Sequence, residues 1–253
     1  MKLAKHLPNT ITCGNLFCGT LAVIRIFEGQ LTMACYLVFL AAVLDFFDGF
    51  AARLLKVASP IGKDLDSLAD MVTFGLVPGL LMFKLLGATL QLSNDSIPAF
   101  INGELTLTQH AAAVQWLPYI ALLIPILSAV RLARFNHDTR QTGSFIGLPT
   151  PSLAMFVTSG VLFLGEGHAP AFVFNHSFLV IICLVLALLL NAEIPLFALK
   201  FKTFGFKGNE IRYLFLICAL ITLLITGFAG ISLAILMYIL FSIVNNLLSK
   251  EQV

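Results

Sequence analysis

Long apolar runs are the feature of this chain that most restricts its fold. Eight such runs are separated by shorter polar linkers, and in chain order they cover about residues 9–27, 31–56, 65–92, 113–135, 151–164, 171–196, 211–228 and 231–248. A helix that crosses a bilayer needs roughly 20 mostly apolar residues. Only 11% of the residues are charged, against about 25% in soluble domains, so lipid must be the solvent for much of the surface. The sequence therefore predicts an all-α fold, a polytopic transmembrane helix bundle.

The number of spans follows from the lengths of these runs. The pattern favours eight, but six or seven would also fit, because the fifth run is short and only Ala229 and Gly230 separate the last two. The linkers leave no room for a soluble domain. We therefore expect residues 1–253 to form a single membrane domain surrounded by membrane lipids, with no nucleic-acid partner.

The positions of Lys and Arg predict which way the bundle faces. Of the 15 Lys and Arg residues, all except Arg25 and Lys84 fall on the side of the predicted bundle that carries both termini. Cytoplasmic loops of membrane proteins are enriched in these residues. Both termini are therefore expected to be cytoplasmic, in a multi-pass protein of the inner (cytoplasmic) membrane.

Four aspartates occur near the ends of apolar runs, where charge is costly. Asp45 and Asp48 are three residues apart in the second run. Asp66 and Asp70 are four residues apart in the third, so each pair shares one face of its helix. The short link 57–62 would bring the two helices back antiparallel, and the four carboxylates would then repel one another. Divalent cations relieve that repulsion, and oxygen ligands favour Mg²⁺ or Mn²⁺, with Mg²⁺ usually completed by substrate phosphates.

Charge alone leaves other interpretations of this cluster open. Buried carboxylates also form proton or sodium relays in transporters, and these could be a structural cluster paired with Arg53 and Lys63. Gly49 and Ala52 favour a ligand instead, because they leave a shallow helix surface beside the carboxylates. Arg53 can bind a phosphate through two hydrogen bonds, and Gly62 opens the approach to the third helix. Together these residues indicate a metal-bound diphosphate.

The same residues form a known signature. Its pattern is D-x2-D-G-x2-A-R-x8-G-x3-D-x3-D, and the residues that match it are Asp45, Asp48, Gly49, Ala52, Arg53, Gly62, Asp66 and Asp70. On these residues the chain resembles the CDP-alcohol phosphatidyltransferase family. The resemblance implies that the four aspartates bind two divalent cations, Mg²⁺ or Mn²⁺, and that Asp70 is also the general base. It implies a CDP site at Gly49, Ala52 and Arg53, bordered by Asp48 and Gly62, and it suggests a homodimer.

Flanking motifs resemble one branch of that family, the membrane-embedded phosphatidylserine synthases. The motifs occupy residues 8–15, 66–78, 131–136 and 145–151. They imply L-serine as the acceptor alcohol and CDP-diacylglycerol as the donor. They also place the catalytic core in residues 8–151. Residues 152–253 match only as generic hydrophobic helices and are expected to be additional transmembrane helices.

Further candidate site residues lie in these motifs. Asn9 and Thr12, at the start of the first helix, could hydrogen-bond the cytidine or its phosphates, or could cap the helix. Arg131 and Arg134 could hold the serine carboxylate or a lipid phosphate, or could only anchor the cytoplasmic end of their helix. The residues expected to shape a loop over the acceptor pocket are Asn136, Phe145, Gly147 and Pro149.

The reaction that the resemblance implies is phosphoryl transfer. The serine hydroxyl would attack the lipid-bearing phosphorus and CMP would leave, with two metal ions assisting. A direct displacement is simplest, because no Ser or Cys nucleophile stands out in the motif. Two other functions are open: the same chemistry with glycerol phosphate or inositol phosphate as acceptor, and a carboxylate-gated transporter. The surface of small residues argues against the transporter, since an ion relay needs no diphosphate-shaped surface.

Overall fold

The computed structural model describes residues 6–57, 59–107, 116–137, 144–167, 169–197, 205 and 209–250. Helices dominate this part of the chain. The α-helices are α1 Leu7–Phe27, α2 Leu31–Leu55, α3 Pro60–Asp70, α4 Val77–Gln91, α5 Ile97–Ile101, α6 Leu123–His137, α7 Thr150–Gly165, α8 His176–Leu190, α9 Glu210–Thr226 and α10 Ala229–Lys250. Short 3₁₀ turns occupy Asn94–Ser96, Leu117–Leu122 and Ala171–Phe174, and a π-helical turn occupies Met71–Leu76. Two strands, β1 Ser144–Ile146 and β2 Pro195–Phe197, complete the described elements.

The helices have the lengths and the surfaces of a membrane protein. The segments long and apolar enough to cross a membrane are Leu7–Phe27, Leu31–Leu55, Pro60–Gln91 and Leu117–His137. Shorter apolar helices are Thr150–Gly165, His176–Leu190 and Gly230–Asn245. Large apolar side chains such as Phe17 and Leu188 are exposed on these helices, which fits contact with lipid. The prediction of an all-α, membrane-embedded protein is confirmed.

Several predicted helix boundaries are wrong, and two of them have a clear physical reason. The third helix, predicted from residue 65, begins at Pro60, because the Ser59 side chain accepts a hydrogen bond from the Gly62 N–H and proline suits the first helical turn. The sixth predicted helix was expected to reach residue 196, but α8 ends at Leu190. Pro195 has no N–H with which to continue a helix, and it begins strand β2 instead.

Strands β1 and β2 form a small antiparallel ribbon that the sequence did not predict. Ser144 lies opposite Phe197, and Ile146 lies opposite Pro195. The ribbon joins the loop before α7 to the segment that follows α8, although the two are about fifty residues apart in the chain.

Helices α3 and α4 are parts of one long segment, and the π-helical turn lies between them. The turn begins directly after Asp70, and its residues Thr73, Phe74 and Gly75 are buried. Turns of this kind are frequent at functional sites. This one packs closely on α1, where a Cβ atom added to Gly19 would collide with Thr73. A residue without a side chain is therefore needed at position 19.

The hydrophobic core holds α1 and α2 in a fixed position beside the aspartates. Ala22 on α1 and Ala34 and Cys35 on α2 are fully buried, and their small size lets the two helices pack closely. Helix α1 also contacts α3. The polar ends of α1, α2 and α3 therefore meet around one space, which contains the candidate site.

Candidate active site

The turn between α2 and α3 brings the aspartates of the two helices together. Lys56 has a left-handed backbone conformation (φ 53°), and its N–H bonds the carbonyls of Ala52 and Arg53. The Val57 N–H also bonds the Ala52 carbonyl, at 3.1 Å. These bonds satisfy the last carbonyls of α2 and reverse the chain direction, so that α3 returns toward the carboxylates of α2.

Asp45, Asp48 and Asp66 form a cluster of carboxylates. Each offers an oxygen atom within 4.8 Å of an oxygen of the other two. Oδ1 of Asp66 is buried and has no hydrogen-bond partner among the described residues. Carboxylates this close repel one another unless a cation lies between them, and a buried oxygen without a partner needs a ligand to satisfy it. The all-oxygen donor set therefore fits a hard divalent cation.

Asp70 lies beside this cluster and has a different environment. Its side chain is 8% exposed, it neighbours the carboxyl group of Asp45, and its Oδ1 accepts a hydrogen bond from Asn15 Nδ2 at 3.3 Å. Asn15 is fully buried, and its backbone carbonyl accepts a hydrogen bond from the Thr73 hydroxyl at 3.3 Å. Asn15 was not predicted as a site residue. The available signal was its place in the motif at residues 8–15, three positions after Thr12.

A cavity of about 200 Å³ opens next to the carboxylates. Six of the seven residues predicted to bind CDP line it: Asn9, Thr12, Asp48, Gly49, Ala52 and Gly62. Asp66 lines the same cavity, together with Pro8, Val57, Ser59 and Lys63. The cavity thus joins the predicted nucleotide-binding residues to two members of the carboxylate cluster, as a site for a metal-bound diphosphate requires.

Arg53 is the exception among the predicted CDP-binding residues. It is exposed and does not line the cavity. Its guanidinium lies along α2 beside Gly49, where Nη2 is 3.9 Å from the position that a Cβ atom of residue 49 would occupy. No other side chain of the described residues comes within 4 Å of that position, so the helix surface at Gly49 is open, and Arg53 lies at its edge.

Thr12 and Asn9 lie within α1 and do not cap it. The helix begins at Leu7, with Pro8 in its first turn and no side-chain cap, so the alternative role as N-caps is wrong. The early start fits the preference of proline for the first turn. The Thr12 hydroxyl lies 2.6 Å from Asp48 Oδ2, to which it donates. Asn9 Oδ1 would lie 3.1 Å from a Cβ atom added to Gly62, so glycine leaves room for the Asn9 amide.

Arg131 and Arg134, predicted as a pair, have different surroundings. Arg131 is 7% exposed, and its Nη1 is 3.5 Å from the Thr150 hydroxyl. Its guanidinium interacts electrostatically with Asp70, and its Nε has no hydrogen-bond partner among the residues described here. Arg134 is exposed. A buried cation can hold an anionic group of a ligand, whereas an exposed arginine at the helix end fits the role of an anchor.

Asn136 and Lys63 link the end of α6 to α3. Asn136 Nδ2 donates to the Ser67 hydroxyl at 2.9 Å, and Lys63 Nζ donates to the backbone carbonyl of Asn136 at 2.8 Å. Lys63 also lines the nucleotide cavity. Lys63 was predicted only as a cytoplasmic charge or a structural partner of the aspartates, and its position three residues before Asp66 was the signal for a role in the site.

The other predicted loop residues lie between α6 and α7. Phe145 is in β1, where its backbone pairs with Leu196, and its side chain lies outside the described part of the chain. Gly147 is buried and has a positive φ of 73°. Pro149 immediately precedes α7. The described contacts of these loop residues are with the end of α8 and with strand β2.

Comparison with known proteins defines the class to which the chain belongs. Residues 5–192 match the model of the CDP-alcohol phosphatidyltransferase family. Because that match covers most of the chain, the chain belongs to this family. The family predicted from the aspartate signature is confirmed.

Individual relatives within the family carry names that include serine. The chain is 33% identical over 154 residues to the CDP-diacylglycerol–serine O-phosphatidyltransferase of Bacillus subtilis (strain 168), covering 59% of this chain and 72% of that protein. It is 32% identical over 163 residues to the protein of the same name from Helicobacter pylori (strain J99), covering 64% of this chain and 59% of the relative. It is 30% identical over 159 residues to the archaetidylserine synthase of Methanothermobacter thermautotrophicus, covering 60% of this chain and 56% of that protein.

Proposed function

We propose that this protein transfers the phosphatidyl group of CDP-diacylglycerol to the hydroxyl of L-serine, giving phosphatidylserine and CMP. Membership of the family supports the donor and the type of reaction. The names of the relatives support serine as the acceptor. In the structure, the observation that carries the choice of serine is the buried guanidinium of Arg131, which interacts electrostatically with Asp70, because serine is an alcohol with a carboxylate of its own.

The cavity next to the carboxylates is the proposed site for the CDP group. Asn9, Thr12 and Gly62 would surround the nucleotide, with Gly49 and Ala52 allowing it to approach the backbone of α2. Arg53, at the edge of this surface, would bind a phosphate oxygen. The carboxylates of Asp45, Asp48 and Asp66, with Asp70 beside them, would hold two Mg²⁺ or Mn²⁺ ions. When bound, these ions neutralise the diphosphate and stabilise the CMP that leaves.

Asp70 is the proposed general base. Asp70 interacts electrostatically with Asp45 and Asp66 of the carboxylate cluster and with Arg131, so an acceptor whose carboxylate is held by Arg131 would bring its hydroxyl toward Asp70. Asp70 would take the hydroxyl proton as the serine oxygen forms a bond to the lipid-bearing phosphorus, and the bond from that phosphorus to the CMP oxygen would break. Asn136, Phe145, Gly147 and Pro149 are proposed to shape the acceptor side, and the exposed Arg134 is proposed to lie at a site for a lipid phosphate.

The remaining proposals concern the setting of the site. We place both termini and the active site on the cytoplasmic face of the inner membrane, with about eight spans, on the distribution of Lys and Arg. We further propose a single membrane domain in which residues 8–151 carry the catalytic core and residues 152–253 supply additional helices. A homodimer is proposed on the family resemblance.

The test measures CMP release by the purified protein in lipid nanodiscs. CDP-diacylglycerol and Mg²⁺ or Mn²⁺ are supplied with labelled L-serine, glycerol phosphate or inositol phosphate. We expect CMP and labelled lipid only with serine. CMP release with one of the other alcohols alone would overturn serine as acceptor, and no CMP release with any alcohol would favour a transporter.

A paired variant tests the observation on which the acceptor depends. Arg131→Gln should raise the KM for serine at least about tenfold, since a hydrogen bond to a charged group contributes about 1.5–3 kcal/mol, and should leave the KM for CDP-diacylglycerol unchanged. Arg134→Gln is the matched control. An equal effect of both variants would mean that the buried position of Arg131 has no part in binding serine.

A further inference from the structure

The segment from Leu189 to Phe197 lies outside the proposed catalytic core. It contacts the loop before α7, on the proposed acceptor side of the site. The Leu148 N–H donates to the Leu189 carbonyl at 2.8 Å, and the Gly147 N–H donates to the Ile194 carbonyl at 3.0 Å. Strand β2, at the end of this segment, pairs with β1. Residues 144–148, before α7, are therefore attached to the chain that follows α8.

Gly147 has the backbone conformation that this attachment requires. Its φ is 73°, and a Cβ atom at this position would lie 2.6 Å from the Leu190 carbonyl oxygen and 3.0 Å from that of Ala192. Only glycine adopts this conformation at such a distance without strain. Contact with the end of α8 therefore explains why glycine occupies this position.

Asn191 makes a second attachment, to the helix that carries Arg131. Its Nδ2 donates to the Leu127 carbonyl at 2.8 Å. In an α-helix the carbonyl of residue 127 belongs to the turn that leads to residue 131. Asn191 therefore fixes α6 one turn before Arg131.

The two attachments converge on one pair of side chains. The loop held at Gly147 and Leu148 leads directly into α7 at Thr150, which is fully buried and whose hydroxyl lies 3.5 Å from Arg131 Nη1. Arg131 is thus positioned through its own helix by Asn191 and through its partner Thr150 by the loop. A guanidinium that lacks a partner on Nε among the described residues depends on such supports for its orientation.

We propose that residues 189–197 are a positioning element for acceptor binding, and that Asn191 is a positioning residue that acts through Arg131. The inference rests on the proposed function, in which Arg131 holds the acceptor carboxylate. It extends the functional part of the chain past residue 151, into the region that the sequence motifs do not reach.

The experiment compares two asparagines at opposite ends of α8. Asn191→Ala removes the bond to Leu127, whereas Asn175→Ala removes the N-cap of the same helix, where Asn175 accepts from the Ser177 N–H at 2.9 Å. We expect Asn191→Ala to raise the KM for serine about tenfold and to change the KM for CDP-diacylglycerol less than twofold. Asn175→Ala should change neither KM, although it lowers stability. Asn191→Asp keeps the size of the side chain and removes the donor, and it should reproduce the effect of Asn191→Ala.

A double-mutant cycle shows whether Asn191 acts through Arg131. In an Arg131→Lys background, Asn191→Ala should change the KM for serine less than twofold. An unchanged KM in the single Asn191 variants, the same KM change with Asn175→Ala, or full additivity with Arg131→Lys would overturn the inference. Each of these results would leave the proposed function intact. The proposed function itself would be wrong only if the wild-type protein did not release CMP with serine.

Discussion

The Thr12 hydroxyl donates a 2.6 Å hydrogen bond to Asp48 Oδ2 and so joins α1 to the carboxylate cluster on α2. A bond from a hydroxyl to a carboxylate contributes about 1.5–3 kcal/mol. We predict that Thr12→Val lowers kcat/KM about 10- to 100-fold, because Asp48 loses the group that orients it. Thr12→Ser keeps the hydroxyl and should stay within about threefold of wild type. Equal activities of the two variants in the CMP-release assay would count against this role.

The carboxylate cluster predicts a specific pattern of metal dependence. Asp66→Asn removes the negative charge and one oxygen ligand of a group whose Oδ1 has no hydrogen-bond partner among the described residues, so the Mn²⁺ concentration for half-maximal activity should rise at least about tenfold. Asp64→Asn, on the exposed side of the same helix, is the matched control and should leave it unchanged. Titration of Mn²⁺ after removal of metal with a chelator measures both. A similar rise in the two variants would indicate a general effect of charge.

Asp70 should be needed for turnover more than for binding of the CDP-lipid. The base proposed at this position takes a proton only when the acceptor hydroxyl reacts, and loss of a positioned base typically costs about 10²–10⁴-fold in rate. We therefore expect Asp70→Asn to reduce kcat by at least that factor, while the Kd for CDP-diacylglycerol, measured by calorimetry, changes less than about threefold. Turnover close to that of wild type would exclude Asp70 as the base.

Lys63 should matter for the CDP-lipid because it lines the nucleotide cavity and fixes the end of α6 through the Asn136 carbonyl. We predict that Lys63→Met raises the KM for CDP-diacylglycerol several-fold, a modest effect because the side chain is exposed and solvent weakens its interactions. Lys84→Met, on α4 and outside this cavity, is the control with the same substitution. If Lys84→Met raises the KM for CDP-diacylglycerol equally, the change in KM comes from the net charge of the protein and not from the position of Lys63.

Two glycines should respond in opposite ways to the same substitution. Gly19→Ala pushes a methyl group into Thr73, and overpacking of this kind costs about 1–3 kcal/mol, so the thermal unfolding midpoint should fall. Gly49→Ala meets open space, and alanine is about 1 kcal/mol better than glycine within a helix, so the midpoint should stay or rise. Because Gly49 lines the nucleotide cavity, this variant should instead weaken binding of the CDP-lipid. A thermal-shift assay in detergent, with and without CDP-diacylglycerol, measures both effects.

The parts of the site that the sequence could predict depend on short-range geometry. Asp45 and Asp48 share a helix face at a spacing of three residues, and a short turn brings Asp66 back to them, so apolar runs and spacing were sufficient. The same holds for the cavity at Gly49 and Ala52, which are next to Asp48 in the helix.

The parts that the sequence could not predict depend on contacts between distant segments. Asn15 and Asp70 are 55 residues apart, and Lys63 and Asn136 are 73 residues apart. Neither spacing contains a periodic signal, because which helices become neighbours is decided by packing of the whole bundle. The two arginines at residues 131 and 134 share a motif, yet only the structure shows that one is buried and the other exposed.

The π-helical turn at Met71–Leu76 has a consequence for any attempt to recombine this protein with a relative. Each residue in a helix rotates the following side chains by about 100°. Removal or insertion of one residue within the turn would therefore point Leu81 and Leu85, now buried in the core, toward other neighbours. The four aspartates of the signature, which precede the turn, would stay in place. A chimera joined inside this turn could retain the complete signature and still misassemble the bundle, so crossover points belong before Pro60 or after Gln91.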